Sequence, residues 1–292
     1  MLKKQFRKFK INPEQVGKRT DIFITEQLLG YTRASLRNLF DGDYVCVNRK
    51  PVKPAYRLKT GDKLTLDLSV LEAEPQTIDL PIIYEDEDVT VLNKPAGVLT
   101  HSKGALNTEA TVASFIKPLL TDKNLAGNRA GIVHRLDRGT SGVIITAKNE
   151  KTLKWLQKQF STRKVDKTYH AIVEGEPKPR QAVVDAPIER NPKKPQTFRV
   201  GSSGKPSQTR YKVLQTFGTV SLLELNPQTG RTHQLRVHLK YIGHPVVGDR
   251  VYGHAGDNLY LHASSLELTL PGSRKVKFEV PEPRIFKKFT KQ

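Results

Sequence analysis

The chain has 292 residues, room for one large domain and a small one, and its 37% hydrophobic content allows a packed core. A net charge of +20 and an isoelectric point near 9.9 make a polyanion the expected partner. No apolar run reaches membrane-spanning length and no secretory h-region follows Met1, so a membrane partner is not expected and the cytoplasm is the expected compartment.

Charge is unevenly distributed along the chain. Residues 1 to 19 hold seven Lys/Arg and one Glu, residues 64 to 93 hold eight Asp/Glu and no Lys/Arg, and residues 190 to 212 hold seven Lys/Arg and no acid. The acidic interval reads as a divider near Glu72-Ala73-Glu74-Pro75. The expected organisation is a basic extension (1–17), a small module (18–72), a larger domain (73–282) and a basic, frayed tail (283–292).

In the small module, Thr20 or Asp21 can cap a helix carrying Ile22, Phe23, Leu28 and Leu29. Thr32 or Ser35 can cap a second, with Leu36, Leu39 and Phe40 at i, i+3, i+4. Tyr44-Val45-Cys46-Val47 reads as a strand, with a turn at Asn48-Arg49 and another strand at Leu64-Thr65-Leu66. Cys46 is the single cysteine, which excludes an internal disulfide and a cysteine-based metal site.

The larger domain alternates strands with few helices. Strands are expected at Val89–Leu92, Val143–Ala147, Tyr169–Val173, Ala182–Val184, Thr209–Leu214, Val220–Leu225, Leu261–Ala263, Leu266–Leu270 and Val276–Val280. Helices are expected at Glu109–Leu120, Asn149–Arg163 and Arg231–Ile242. This mix predicts an α+β domain with a large mixed or antiparallel sheet. Gly201-Ser202-Ser203-Gly204-Lys205 lacks the spacing of a phosphate-binding loop and reads as a flexible basic loop between strands.

The most informative stretch is Gly131-Ile132-Val133-His134-Arg135-Leu136-Asp137-Arg138-Gly139-Thr140-Ser141-Gly142, a polar loop between apolar flanks that read as buried strands. A loop held by rigid strands places a reactive group accurately. Asp137 is its one carboxylate, beside Arg135 and Arg138. On spacing alone, a charged surface turn capped by Asp137, Thr140 and Ser141 accounts for it equally well.

His134-Arg135-Leu136-Asp137 followed by Thr140-Ser141-Gly142 resembles the signature loop of the RluA-type pseudouridine synthases. Four further segments resemble family motifs in the same order. They are Asn93 to His101, Lys167 to Gly175, Thr229 to His238, and Gly243 to Asp249. The small module resembles the RNA-binding domain named after a small-subunit ribosomal protein, the S-four type. That likeness implies RNA contacts through Arg33, Arg37, Arg49, Lys50 and Lys53. The S-four turn is usually Asn-Gly; Arg49 in the second place predicts a turn of different shape, because a positive φ is disfavoured there.

The main resemblance implies an isomerase that breaks the bond between uracil and ribose, rotates the base and rejoins it through carbon. No atom is added and no redox change occurs, so no cofactor and no metal are expected. Asp137 is implied as catalytic, either as nucleophile or as base. Tyr169 is implied to stack on the uracil, with assistance to proton removal as a further implied role. Arg231 is implied as the cation that pairs with Asp137, and the stripe Arg231, Leu235, His238, Ile242 predicts that it faces inward. Arg135, Arg138, Thr140, Leu235 and His134 are expected beside the substrate. Arg135 is a candidate to fill the space left by a flipped base. Histidines 134, 233 and 238 also read as supporting groups, since no step clearly requires one. The implied substrate is structured RNA, with ribosomal RNA of the large subunit favoured and transfer RNA the alternative. The rival reading is a non-catalytic RNA-binding or ribosome-assembly protein. Nothing in the sequence demands more than a monomer.

Overall fold

The computed structural model describes residues 6–28, 31–72, 77–102, 109–122, 125 and 129–290. The chain forms two compact units. The first groups Met1–Ile78 with His101–Phe115 and Ala126–Ala130, and the second groups Asp79–Thr100, Ile116–Leu125 and Gly131–Gln292.

In the first unit, strands β1 (Phe6–Lys10), β2 (Val45–Val47), β3 (Lys50–Pro51) and β4 (Lys63–Asp67) form one sheet in the order β1-β4-β2-β3. Helices α1 (Thr20–Gln27), α2 (Arg37–Asp41) and α3 (Ser69–Glu72) accompany it. Phe23, Ile24, Leu36, Leu39, Val45, Leu64 and Leu66 are buried together with Ile11, and burying a side chain of this size contributes on the order of 1.5–3 kcal/mol. Three expectations need correction. Residues 6–10, expected within a basic extension outside the small module, belong to its sheet: β1 pairs antiparallel with β4, which covers what would otherwise be an open strand edge. Thr20 is the first residue of α1 rather than its cap, and its hydroxyl donates to the Tyr56 carbonyl. The Asn48-Arg49 turn keeps the usual hairpin shape, with φ of 51° and 68°. The Asn48 side chain holds it there, accepting from Lys63 N and donating to the buried Asp62 carboxylate.

The second unit is built on a nine-stranded mixed sheet in the order β5-β6-β7-β14-β8-β13-β12-β9, with β15 against β14. Its strands are β5 (Ile82–Glu85), β6 (Val89–Lys94), β7 (Ser141–Ala147), β8 (Asp166–Glu174), β9 (Gln181–Asp185), β12 (Gln208–Phe217), β13 (Val220–Pro227), β14 (Leu261–Leu270) and β15 (Arg274–Glu279). Strands β10 (Ile188–Arg190) and β11 (Phe198–Val200) make a separate hairpin. The two expected strands at Leu261–Ala263 and Leu266–Leu270 are one strand, with a register shift between Ala263 and Ser265. The expected helix at Glu109–Leu120 is shorter: α4 spans Val112–Ile116 and a 3-10 turn spans Lys117–Leu119. Helix α5 (Glu150–Ser161) has Asn149 as its cap, the side chain accepting from Thr152 N at 2.8 Å. Helix α6 is Gln234–Tyr241. The tail is not frayed over its described part. A 3-10 turn at Arg284–Phe286 leads into α7 (Lys287–Thr290), and Phe286 is buried with its ring 5.7 Å from that of Tyr260.

Strand β7 carries the signature loop. It pairs antiparallel with β6 along its length, but in parallel with β14 only through Ser141 and Gly142. Gly142 has φ +114°, and a Cβ there would sit 2.1 Å from the Ala263 carbonyl, so the close approach requires glycine. Where β14 diverges, the segment entering the loop covers the β7 edge. Ala147 N donates to Gly131 O at 2.8 Å, Ile132 bridges Thr146, and Ile145 N donates to Nε2 of His134 at 3.1 Å. The residues before the loop are therefore a returning edge rather than the expected full strand.

Candidate active site

Three tethers immobilise the signature loop. The first is the His134 ring, which stands in for a backbone carbonyl on the β7 edge and stacks on Phe160 at 4.6 Å. Burial pulls its pKa down to about 3, so it is the neutral acceptor that this bond requires. The second is Leu136, which is buried: its N–H donates to the Thr100 hydroxyl at 3.2 Å, and its carbonyl accepts from the same hydroxyl at 2.9 Å. The third is the turn after β6. Gly97 N donates to Arg138 O at 2.7 Å, and the fully buried Lys94 donates to Pro95 O at 3.0 Å, Val98 O at 2.8 Å and Arg138 O at 3.4 Å. Burial draws the Lys94 ammonium down to about 7, an effect that Asp137 partly opposes.

These tethers present Asp137 at a cavity of about 510 Å³. His134, Arg135, Thr140, Tyr169, Arg231 and Leu235 line the same cavity. Tyr169 arrives from β8, in register with Leu225 on one side and Ala263 on the other. Burial, with Asp137 nearby, pushes its phenol above the ordinary range. Thr140 is buried and its N–H donates to Asp137 O at 3.1 Å, closing the turn. Arg135 is exposed.

The expected pairing of Arg231 with Asp137 is not what forms. Arg236 makes that pair, Nη1 to Oδ2 at 3.1 Å. Arg231 lies ahead of α6, and its Nε donates to Pro206 O at 3.3 Å. Residue 231 is not helical, so it does not share the inward-facing stripe of Leu235 and His238. Instead, Gln234 accepts from Arg231 N at 3.0 Å and from the Thr229 hydroxyl at 2.7 Å, and His233 turns left-handed with φ 56°. The helix therefore starts at Gln234, which puts Arg236 in its first turn. A cation is unfavourable at that end of a helix and needs carboxylates to hold it. Asp137 is one. The other is Asp249, fully buried, which takes Arg236 Nε at 2.7 Å and Nη2 at 2.8 Å. Burial pushes the Asp249 carboxyl up, but the Arg236 hydrogen bonds, with Val251 and Tyr252 amides, outweigh it and leave it below its ordinary range. The guanidinium also lies over the Tyr252 ring, 5.0 Å from its centroid.

Arg138 was expected beside the substrate, but it is not among the residues lining the cavity; its Nη1 donates to Gly97 O at 3.2 Å. His238 is fully buried between the Thr209 hydroxyl and Ala186 O. In the first unit, Arg37, Arg49, Lys50 and Lys53 are exposed, whereas Arg33 pairs with Asp21 at 2.9 Å. The reading from sequence missed Arg236, Asp249, Tyr252, Thr100 and Lys94 as parts of the site. Lys94, Thr100, Arg236 and Asp249 stand inside the motifs quoted for the resemblance. Their burial, the one signal that separates them from their neighbours, depends on segments far apart in sequence meeting in space.

A loop clamped on a mixed sheet, with an arginine-held aspartate at the cavity, fits the resemblance, and similarity identifies the same class of protein. The profile of the family described as RNA pseudouridylate synthase matches residues 88–241, and the chain belongs to that family. Ribosomal large subunit pseudouridine synthase C of Escherichia coli (strain K12) is 34% identical over 93% of this chain and 91% of its own. The synthase C of Vibrio vulnificus is 36% identical over 91% and 89%. Ribosomal large subunit pseudouridine synthase D of Borreliella burgdorferi is 42% identical over 73% and 68%. Among solved structures, human RNA Pseudouridylate Synthase Domain Containing 1 superposes with a TM-score of 0.58 at 30% identity, covering 72% of this chain and 87% of that one. The chain is an RNA pseudouridine synthase, an isomerase of α+β fold.

Proposed function

We propose that this synthase isomerises specific uridines of large-subunit ribosomal RNA in the cytoplasm, with Asp137 as the reacting carboxylate. The observation that carries the catalytic part is the state of that carboxylate. Arg236 holds Oδ2, while among the described residues Oδ1 takes no hydrogen bond and stays available to a ligand. In the reaction the N1–C1′ bond of uridine breaks and a C1′–C5 bond forms. The C5 proton is lost and N1 gains one, so atoms and charge balance without a cofactor. Arg236 pairs with Asp137 through Oδ2 and aims the carboxylate. Tyr169 is a stacking platform for the base; a phenol with a raised pKa stays protonated at neutral pH and is a poor base. Leu235 and Thr140 complete the cavity wall around a flipped base. Arg135, exposed at its mouth, suits the space that the base vacates. The first unit is an S-four-type docking element, through Arg37, Arg49, Lys50 and Lys53, with Arg33 partly committed to Asp21.

The large-subunit substrate is supported by the names of the relatives, synthases C and D of the large ribosomal subunit. The experiment is tritium release from ribosomal RNA and from transfer RNA labelled at carbon-5 of uracil, with wild type beside Asp137→Asn. Release from ribosomal RNA by wild type alone is expected. Release from transfer RNA only would overturn the substrate, and equal release by Asp137→Asn would overturn the assignment of the carboxylate. RNA affinity of Asp137→Asn should stay near wild type, because phosphate contacts supply most of it.

A further inference from the structure

His233 caps α6 in a left-handed conformation, its ring 5.7 Å from Phe198 and 5.5 Å from Tyr252, each edge-on. Each ring nitrogen has its own partner. Nδ1 lies 2.8 Å from the Tyr252 hydroxyl, and Nε2 lies 3.8 Å from Oδ2 of Asp137. The Tyr252 oxygen already accepts the N–H of Phe198, from β11, at 3.0 Å. Among the described residues its phenolic proton then has one acceptor, Nδ1. A nitrogen that accepts carries no proton, so a neutral ring bears its hydrogen on Nε2, the atom nearest Asp137. Burial, with the Arg236 and Arg135 charges acting the same way, outweighs the Asp137 and Asp249 carboxylates and keeps the ring below its ordinary pKa, hence neutral at pH 7. The opposite tautomer would turn a lone pair toward the carboxylate, a repulsive contact.

We propose that Tyr252 is a positioning residue: its hydroxyl, fixed by the Phe198 amide, sets the Nε2–H tautomer of His233 and so supplies Asp137 with a second donor beside Arg236. The inference rests on the reading of Asp137 as the reacting carboxylate. At 3.8 Å the Nε2 contact is longer than a hydrogen bond, and such contacts tighten when substrate fills a site. The Tyr252 ring under the Arg236 guanidinium serves the same end from the other side. One phenol thus steers both groups that face Oδ2, and through Phe198 it ties them to the β10–β11 hairpin.

The test has two parts. In wild-type protein labelled with 15N in histidine, the His233 signal, assigned by its loss in His233→Asn, should show a protonated Nε2 and a bare Nδ1. A protonated Nδ1 overturns the proposal. In Tyr252→Phe, which keeps the ring and removes the oxygen, kcat on large-subunit ribosomal RNA labelled at carbon-5 should fall roughly tenfold with KM within about twofold, the scale of one oriented hydrogen bond. An unchanged kcat, or a loss confined to KM, overturns it. If Tyr252→Phe does not fold, the wild-type spectrum still decides. Asp137→Asn is assayed alongside. Full turnover there would sink the reading of Asp137, while the spectrum would report the tautomer by itself.

Discussion

Single side chains of the candidate site differ in what they hold. Arg236 bridges two carboxylates, one of them fully buried. Arg236→Ala would leave Asp249 charged and unpaired inside the protein, a destabilisation of roughly 3–5 kcal/mol by urea denaturation, and turnover should be lost with it. Arg231→Ala removes only a bond to the Pro206 carbonyl, so its urea midpoint should match wild type. A larger loss of stability in Arg231→Ala than in Arg236→Ala would reverse the assignment made here. His134 makes a separate, pH-dependent prediction. Its folded pKa is held near 3 against 6.5 for the free group. Between those values the unfolded chain binds a proton that the folded one refuses, so stability falls as pH drops from 6.5 toward 3, with a slope of up to about 1.4 kcal/mol per pH unit. His134→Gln keeps an acceptor for Ile145 N but cannot titrate. Its stability from pH 7 to 4 should fall less steeply than wild type, and equal slopes would count against the buried neutral ring.

At the scale of elements, the signature loop works because two strands part. Strand β14 runs with β7 for two residues and then leaves it, and the returning segment at Gly131–His134 takes the vacated edge. The contact that permits the start of that arrangement is Gly142 against the Ala263 carbonyl. In Gly142→Ala the methyl would clash with backbone and the residue would keep a strained φ. Thermal unfolding should show a loss of several degrees or more, since about 1 kcal/mol already moves the midpoint of a domain this size by roughly 2–4 °C. A midpoint equal to wild type would mean that the β7–β14 pairing tolerates a side chain there.

Across the whole molecule, the exposed cations proposed to meet RNA and the groups around the cavity are different residues. The net charge of +20 gives long-range attraction for RNA, while the cavity around Asp137 belongs to the second unit alone. Replacing Arg37, Arg49, Lys50 and Lys53 by Ala removes four exposed cations of the first unit. If all four meet phosphates, the slope of log affinity against log salt should drop by about three, with single-turnover rates at saturating RNA unchanged. A slope equal to wild type would exclude these residues from the RNA interface.

The sequence by itself determined the fold class, most of the strand positions, the cavity residues Asp137, Tyr169 and Leu235, and the family. Those follow from signals within one segment: alternation, capping residues such as Asn149, and motifs such as His134 to Asp137. Only the tertiary structure decided which arginine meets Asp137. That choice turned on Gln234 and His233 ending the turn before α6, and on Asp249, in the loop that follows α6, folding back to share Arg236. It also decided that Phe6–Lys10 is an edge strand and that Phe286 anchors the tail, because a strand's partner and a side chain's burial are set by residues remote in the chain. Local pattern reports which way a residue can face, whereas the low-dielectric contacts that make one arginine, one lysine and one histidine matter form only when separate segments close on one another.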